Sequence, residues 1–156
     1  MKPFNHFIVL ATILIGFWLD GVISLLTIPY LVETCIGFLI FSYWVFALPE
    51  KLHSSSAFLY GLIIDLLFGE ALGLNMMFFI GMSYVIHVYV FRFRLFSYFQ
   101  LTIFFAGAST FYLACKYLIF FPVNYSYLVL VLSFLTNAIV WLVVYFLMRF
   151  FRRKAF

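Results

Sequence analysis

Residues 57–73 read Ala57-Phe58-Leu59-Tyr60-Gly61-Leu62-Ile63-Ile64-Asp65-Leu66-Leu67-Phe68-Gly69-Glu70-Ala71-Leu72-Gly73. Ala57, Gly61, Asp65, Gly69 and Gly73 recur at every fourth position, which on a helix sets them along one face. That face is small except for one carboxylate, and Leu, Ile and Phe dominate the remainder. A helix exposed to water keeps a polar face; this one has none. Small-xxx-small faces serve helices in lipid, where close backbone approach gains dispersion contact. The stretch therefore predicts a membrane helix. Its small face is either a packing groove around a buried Asp65 or a docking or ligand face. Gly69 and Gly73 also fall where this helix turns, and a turn can use the backbone freedom of glycine.

The rest of the chain has the same character. Of 156 residues, 68% are hydrophobic, 24% aromatic and 9% charged, against about 45–50% apolar and about 25% charged in soluble domains. A water-soluble globule is excluded, and so is a disordered chain. Two cysteines cannot build a disulfide framework. Apolar runs cover about 6–26, 31–48, 54–68, 72–91, 98–121 and 125–148, near the ~20 residues of a membrane span apart from a shorter third one. Pro29, Pro49, Pro122 and the run Arg92-Phe93-Arg94 separate them, and Ser54-Ser55-Ser56 offers N-cap oxygens to the third. The alternating pattern of an outer-membrane barrel is absent. The expected fold is an all-α membrane protein, a six-transmembrane-helix bundle forming a single domain over 1–156, with short loops and no internal repeat. No A-x-A-like site follows the first run, so it reads as an uncleaved helix rather than a signal peptide.

Charge sets the orientation. With the N-terminus in the cytoplasm, Lys2, Lys51, Arg92, Arg94, Arg149, Arg152, Arg153 and Lys154 all lie on that side. The opposite loops, around Pro29, Glu70 and Asn124, then hold no Lys or Arg. This positive-inside bias puts both termini in the cytoplasm. The net charge of +4 is thereby an orientation signal, and no nucleic acid partner is expected. The tail Arg149–Lys154 suits anionic membrane lipids or a cytoplasmic partner. Tyr30, Tyr43, Trp44, Tyr98 and Tyr125 lie near span ends and read as interfacial anchors.

Four ionisable residues remain inside the spans. At ~1.5 Å rise per residue, Asp20, Glu33, Asp65 and Lys116 all fall within the outer ~10 Å of the hydrocarbon core. Charges at membrane depth cost at least ~2.5–3.5 kcal/mol each, so their shared depth predicts a polar cluster facing the bundle interior. Lys116 either pairs with Asp65, the first choice, or snorkels to the interface. His6, His53 and His87 lack ligand spacing, and Cys35 and Cys115 read as inert packing. No phosphate loop, Ser-His-Asp set or H-E-x-x-H motif is present. No catalytic residue, metal or cofactor is expected.

The pattern Tyr43-Trp44-x4-Pro49, followed by Phe58-x2-Gly61-x3-Asp65-x3-Gly69-x3-Gly73, resembles the MreD family of bacterial rod-shape proteins. Asp20 and Glu33 have no counterpart in that pattern. The resemblance implies a non-enzymatic scaffold in the bacterial cytoplasmic (inner) membrane, within the cell-elongation complex that directs peptidoglycan synthesis, binding partner membrane proteins through its small-residue helix faces. Its implied partners are MreC first, then MreB, RodA and the transpeptidase partner of RodA. It also implies a fold similar to the substrate-binding subunits of energy-coupling-factor transporters. Those subunits bind ligands toward the outer side, where the polar cluster lies, so the alternative is a small-ligand-binding or transport subunit. An alkaline phosphatase domain fused after Phe156 is expected to stay inactive in cells, because that end is cytoplasmic; activity there would overturn the topology.

Overall fold

The computed structural model describes residues 5–27, 32–68, 72–120 and 126–155. Over these residues the chain is helical throughout, with no strand. The helices are α1 (His6–Thr27), α2 (Ile36–Ala47), α3 (Ser54–Phe68), α4 (Leu74–Val88), α5 (Val90–Leu95), α6 (Tyr98–Phe120) and α7 (Tyr127–Ala155).

Three of them, α1, α6 and α7, are long and apolar enough to cross a bilayer. The others are shorter. With 12, 15 and 15 residues, α2, α3 and α4 extend only ~18–23 Å, less than the ~30 Å of a hydrocarbon core. The second apolar run is helical only from Ile36, not from residue 31. Residues 32–35 stay outside the helix, and partners on α7 take backbone donors there: Glu33 N–H donates to Ser133 Oγ (3.3 Å) and Cys35 N–H to Asn137 Oδ1 (3.0 Å). The fourth run breaks at Tyr89, and α5 then carries Arg92 and Arg94 away. At the C-terminus α7 continues through the basic tail, since Arg and Lys are good helix formers and favour a helix C-terminus.

The helices pair as α1/α2, α3/α4 and α6/α7 hairpins, and α2 is the centre on which α1, α4, α6 and α7 all pack. Every residue from Gly37 to Val45 is buried, as expected of a helix apolar on all sides. Aromatic stacking fills the surroundings: Phe41 on Phe79 (3.9 Å), Phe38 on Tyr112 (5.1 Å) and Phe105 on Trp141 (3.9 Å). Tyr43 and Trp44 belong to this core and are not interfacial anchors. The Trp44 indole finds its acceptor inside, donating to Thr12 Oγ1 at 2.9 Å. Tyr98 is exposed, as an anchor would be, and Tyr30 and Tyr125 lie outside the described residues.

Two hairpins close on glycine. A Cβ at Gly61 would stand 2.5 Å from Met76 Cα and 2.8 Å from its N, so α3 and α4 touch backbone to backbone there. A Cβ at Gly16 would stand 2.8 Å from Gly37 Cα, the same contact between α1 and α2. Neither obstacle can rotate away. Gly61→Ala and Gly16→Ala are each expected to lower stability by ~1–3 kcal/mol, the cost of overpacking. Gly107→Ala should change little, since a Cβ there meets nothing within 4 Å. Thermal unfolding in detergent checks the contrast, and equal midpoints for all three variants would overturn it.

Candidate functional site

Helices α2 and α4 both begin without a cap of their own. Cys35, the residue before α2, makes no side-chain cap, and Gly73 before α4 has no side chain to offer. Gly73 adopts φ +106°, a left-handed conformation that glycine alone takes without strain. The first N–H groups of a helix have no acceptor within it, and each costs several kcal/mol if left bare in hydrocarbon. Carboxylates from the neighbouring helix supply the acceptors.

Asp65, 2% exposed, projects from α3 onto the start of α4. Its Oδ2 accepts from Gly73 N–H (2.9 Å) and Met76 N–H (3.1 Å). Its Oδ1 accepts from Asn75 N–H (3.1 Å) and Asn75 Nδ2 (2.9 Å). Four donors fill the roughly four lone-pair sites of a carboxylate, and the anion sits at the positive end of the α4 dipole. Tyr112 on α6 extends the network by donating from its hydroxyl to Asn75 Oδ1 at 2.8 Å.

Asp20 does the same from α1 to α2. It accepts from Ile36 N–H and Thr34 Oγ1 at Oδ1 and from Gly37 N–H at Oδ2, each at 2.8 Å. Gly16 precedes Asp20 by four residues as Gly61 precedes Asp65, and in both hairpins the glycine admits the backbone that the aspartate caps. The same Gly-x3-Asp spacing thus serves both hairpins. It was visible in the sequence at 16–20.

Lys116 does not pair with Asp65. Its Nζ lies 4.0 Å from Glu33 Oε2, while Tyr117 donates to Glu33 Oε1 at 2.8 Å. Asp65 already has its donors, so it needs no lysine. Asp20, Glu33 and Lys116 do share one cavity of about 70 Å³, with Thr34, Cys35 and Tyr112 in its wall. Asp65 joins them only through Asn75 and Tyr112. The sequence reading also missed Ser133 and Asn137, whose polar side chains four residues apart in the last apolar run hold the segment before α2. Asn137 makes both contacts of an amide: its Oδ1 takes Cys35 N–H and its Nδ2 donates to Glu33 O at 3.3 Å.

Of the small-residue face, Ala57, Gly61 and Asp65 are buried on α3, and Gly61 and Asp65 meet α4. Gly73 is the N-cap of α4, and Gly69 lies outside the described residues. The bases collect at the other end of the bundle. Arg152 Nη1 donates to Ala47 O at 3.2 Å, placing a cation at the C-terminus of α2, and Arg149 Nη1 donates to Tyr98 Oη at 3.4 Å. Lys154 lies 4.5 Å from the Phe150 ring and Arg92 5.7 Å from that of Tyr89. Lys51, Arg94 and Arg153 are exposed. His87 Nε2 lies 2.8 Å from Pro49 O. Among the described residues no three His, Cys, Asp or Glu side chains gather as a metal site.

Asp65→Ala should cost ~3 kcal/mol or more, since it removes a charged acceptor from several buried donors. The Glu33–Lys116 pair is about a third exposed and should contribute ~1 kcal/mol or less. Exchanging the charges of Asp65 and Lys116 should give additive defects; mutual rescue in a double-mutant cycle would overturn the assignment.

No curated protein and no solved structure matches the chain. The family model described as rod shape-determining protein MreD matches residues 2–152. That match covers nearly the whole length, both hairpins and the central helix included, and the chain therefore belongs to the MreD family, membrane proteins of bacterial rod-shape determination.

Proposed function

We propose that this protein is a non-enzymatic scaffold subunit of the cell-elongation complex, a six-span bundle of the bacterial inner membrane with both termini in the cytoplasm. The observation that carries this reading is the use made of the ionisable groups at membrane depth. Asp20 and Asp65 hold the starts of α2 and α4, and Glu33 holds Lys116 and Tyr117. Such groups commonly mark transport pathways; here they build the frame. The family supports a place in the rod-shape machinery, with MreC as the first partner and MreB, RodA and its transpeptidase partner beyond it.

In this reading the face of Ala57, Gly61, Asp65, Gly69 and Gly73 acts on partners indirectly. Gly61 and Asp65 lock the α3/α4 hairpin, and partner helices meet the apolar exterior of the bundle. Leu59, Leu66 and Leu67 on the outward side of α3 are all more than half exposed, and they offer such a surface.

Glu33→Gln and Lys116→Met separate this reading from its alternative. A scaffold should keep rod shape and recover MreC in mild detergent with either variant. Gly61→Leu should lose both together with thermal stability. Loss of rod shape in Glu33→Gln or Lys116→Met, with MreC still recovered and the fold intact, would overturn the scaffold and favour a ligand-binding subunit.

A further inference from the structure

We propose that the groove between α4 and α6 seats one anionic phospholipid of the cytoplasmic leaflet, with an acyl chain between the helices and its phosphate at Arg92 and Arg94. This rests on the orientation proposed above, not on any partner protein.

The two helices meet through the Phe78 and Tyr112 rings, 5.1 Å apart, and both lean on α2. Outside that contact a lateral groove of about 700 Å³ opens, with Phe38 of α2 among its lining residues. Its size is that of a small-molecule site, ~300–1,000 Å³. Gly81 on one wall and Gly107 on the other keep it wide, since a Cβ at either meets nothing within 4 Å.

Length and charge choose the occupant. Along α6 the groove runs from Ile103 to Cys115, ~18 Å at ~1.5 Å per residue. Half of a ~30 Å core is ~15 Å, so the groove takes one acyl chain whose end passes the midplane towards Cys115, and it falls short of a crossing helix. Its cytoplasmic end meets α5. Phe93 is buried there against the groove residue Phe104, with ring centroids 4.6 Å apart. The exposed Arg92 and Arg94 flank Phe93, and among the described residues neither has a carboxylate partner. Basic groups at the cytoplasmic end of an interhelical pocket complement an anionic headgroup.

Native mass spectrometry of the full chain in detergent tests this with dioleoyl phosphatidylglycerol and dioleoyl phosphatidylcholine, which share their tails. One phosphatidylglycerol should be retained in preference to phosphatidylcholine. Arg92→Gln with Arg94→Gln should lower that retention about tenfold or more, whereas Lys51→Gln, at an exposed base elsewhere on the same rim, should not. Gly107→Phe should fill the groove and abolish retention. Both arginines are exposed, so their replacement leaves packing intact and the test stands even if Gly107→Phe unfolds. Equal retention of the two lipids, or phosphatidylglycerol held equally by the double variant, would overturn the proposal. So would a photo-cross-linker at Gly107 that captures a protein helix instead of lipid.

Discussion

The fold depends on one constraint: a helix that begins inside an apolar layer must find acceptors for its first N–H groups within the protein. Asp20 lies seven residues before the end of α1 at Thr27, so α2 starts ~10 Å short of that end. Hydrocarbon offers no acceptor. The acceptor must come from another helix, and that helix must approach closely enough to deliver a short side chain. Hence the coupling of Asp20 to Gly16 and of Asp65 to Gly61. Each aspartate needs its glycine, because the capped backbone and the capping helix share the same narrow gap. Once both ends of α2 are satisfied, by Asp20 at the start and Arg152 at the finish, a helix of 12 residues can occupy the centre with no polar face.

Much of this could be read from the chain itself. The spacing of Ala57, Gly61 and Asp65 set them on one face of α3, where Gly61 and Asp65 meet α4, and composition alone pointed to helices in lipid. Depth along each run also placed Asp20, Glu33 and Lys116 at one level. What depth cannot supply is the direction in which a side chain leaves its helix. Asp65 and Lys116 share a level yet face different neighbours, and their supposed pairing failed for that reason. Caps were illegible for a related reason. The usual N-cap is local, within three residues of the donors it serves, whereas these acceptors stand 8 to 17 residues away on a different helix. Trp44 misled because an aromatic near a proline looks interfacial until the helix holding it proves central.

A protein organised in this way suits a structural role in rod-shape determination. Its buried aspartates are tied to backbone, its centre is filled with stacked rings, and its long helices present apolar surface outward. The three hairpins share no long loop among the described residues, so the bundle offers its surroundings faces of helices. Changes at its buried aspartates would therefore reach a partner through altered helix positions, not through a lost contact.

The stitching of Val32–Cys35 to α7 also bears on how the molecule is made. Cys35 and Asn137 are 102 residues apart in the chain, and Arg152 and Ala47 are 105 apart. When α2 leaves the ribosome, Asp20 is already present, but neither Asn137 nor Arg152 yet exists. The central helix thus waits, half satisfied, through the synthesis of α3 to α6. Contacts of such long sequence separation form late, and α7, made after α2, is the helix that fixes the central one in place.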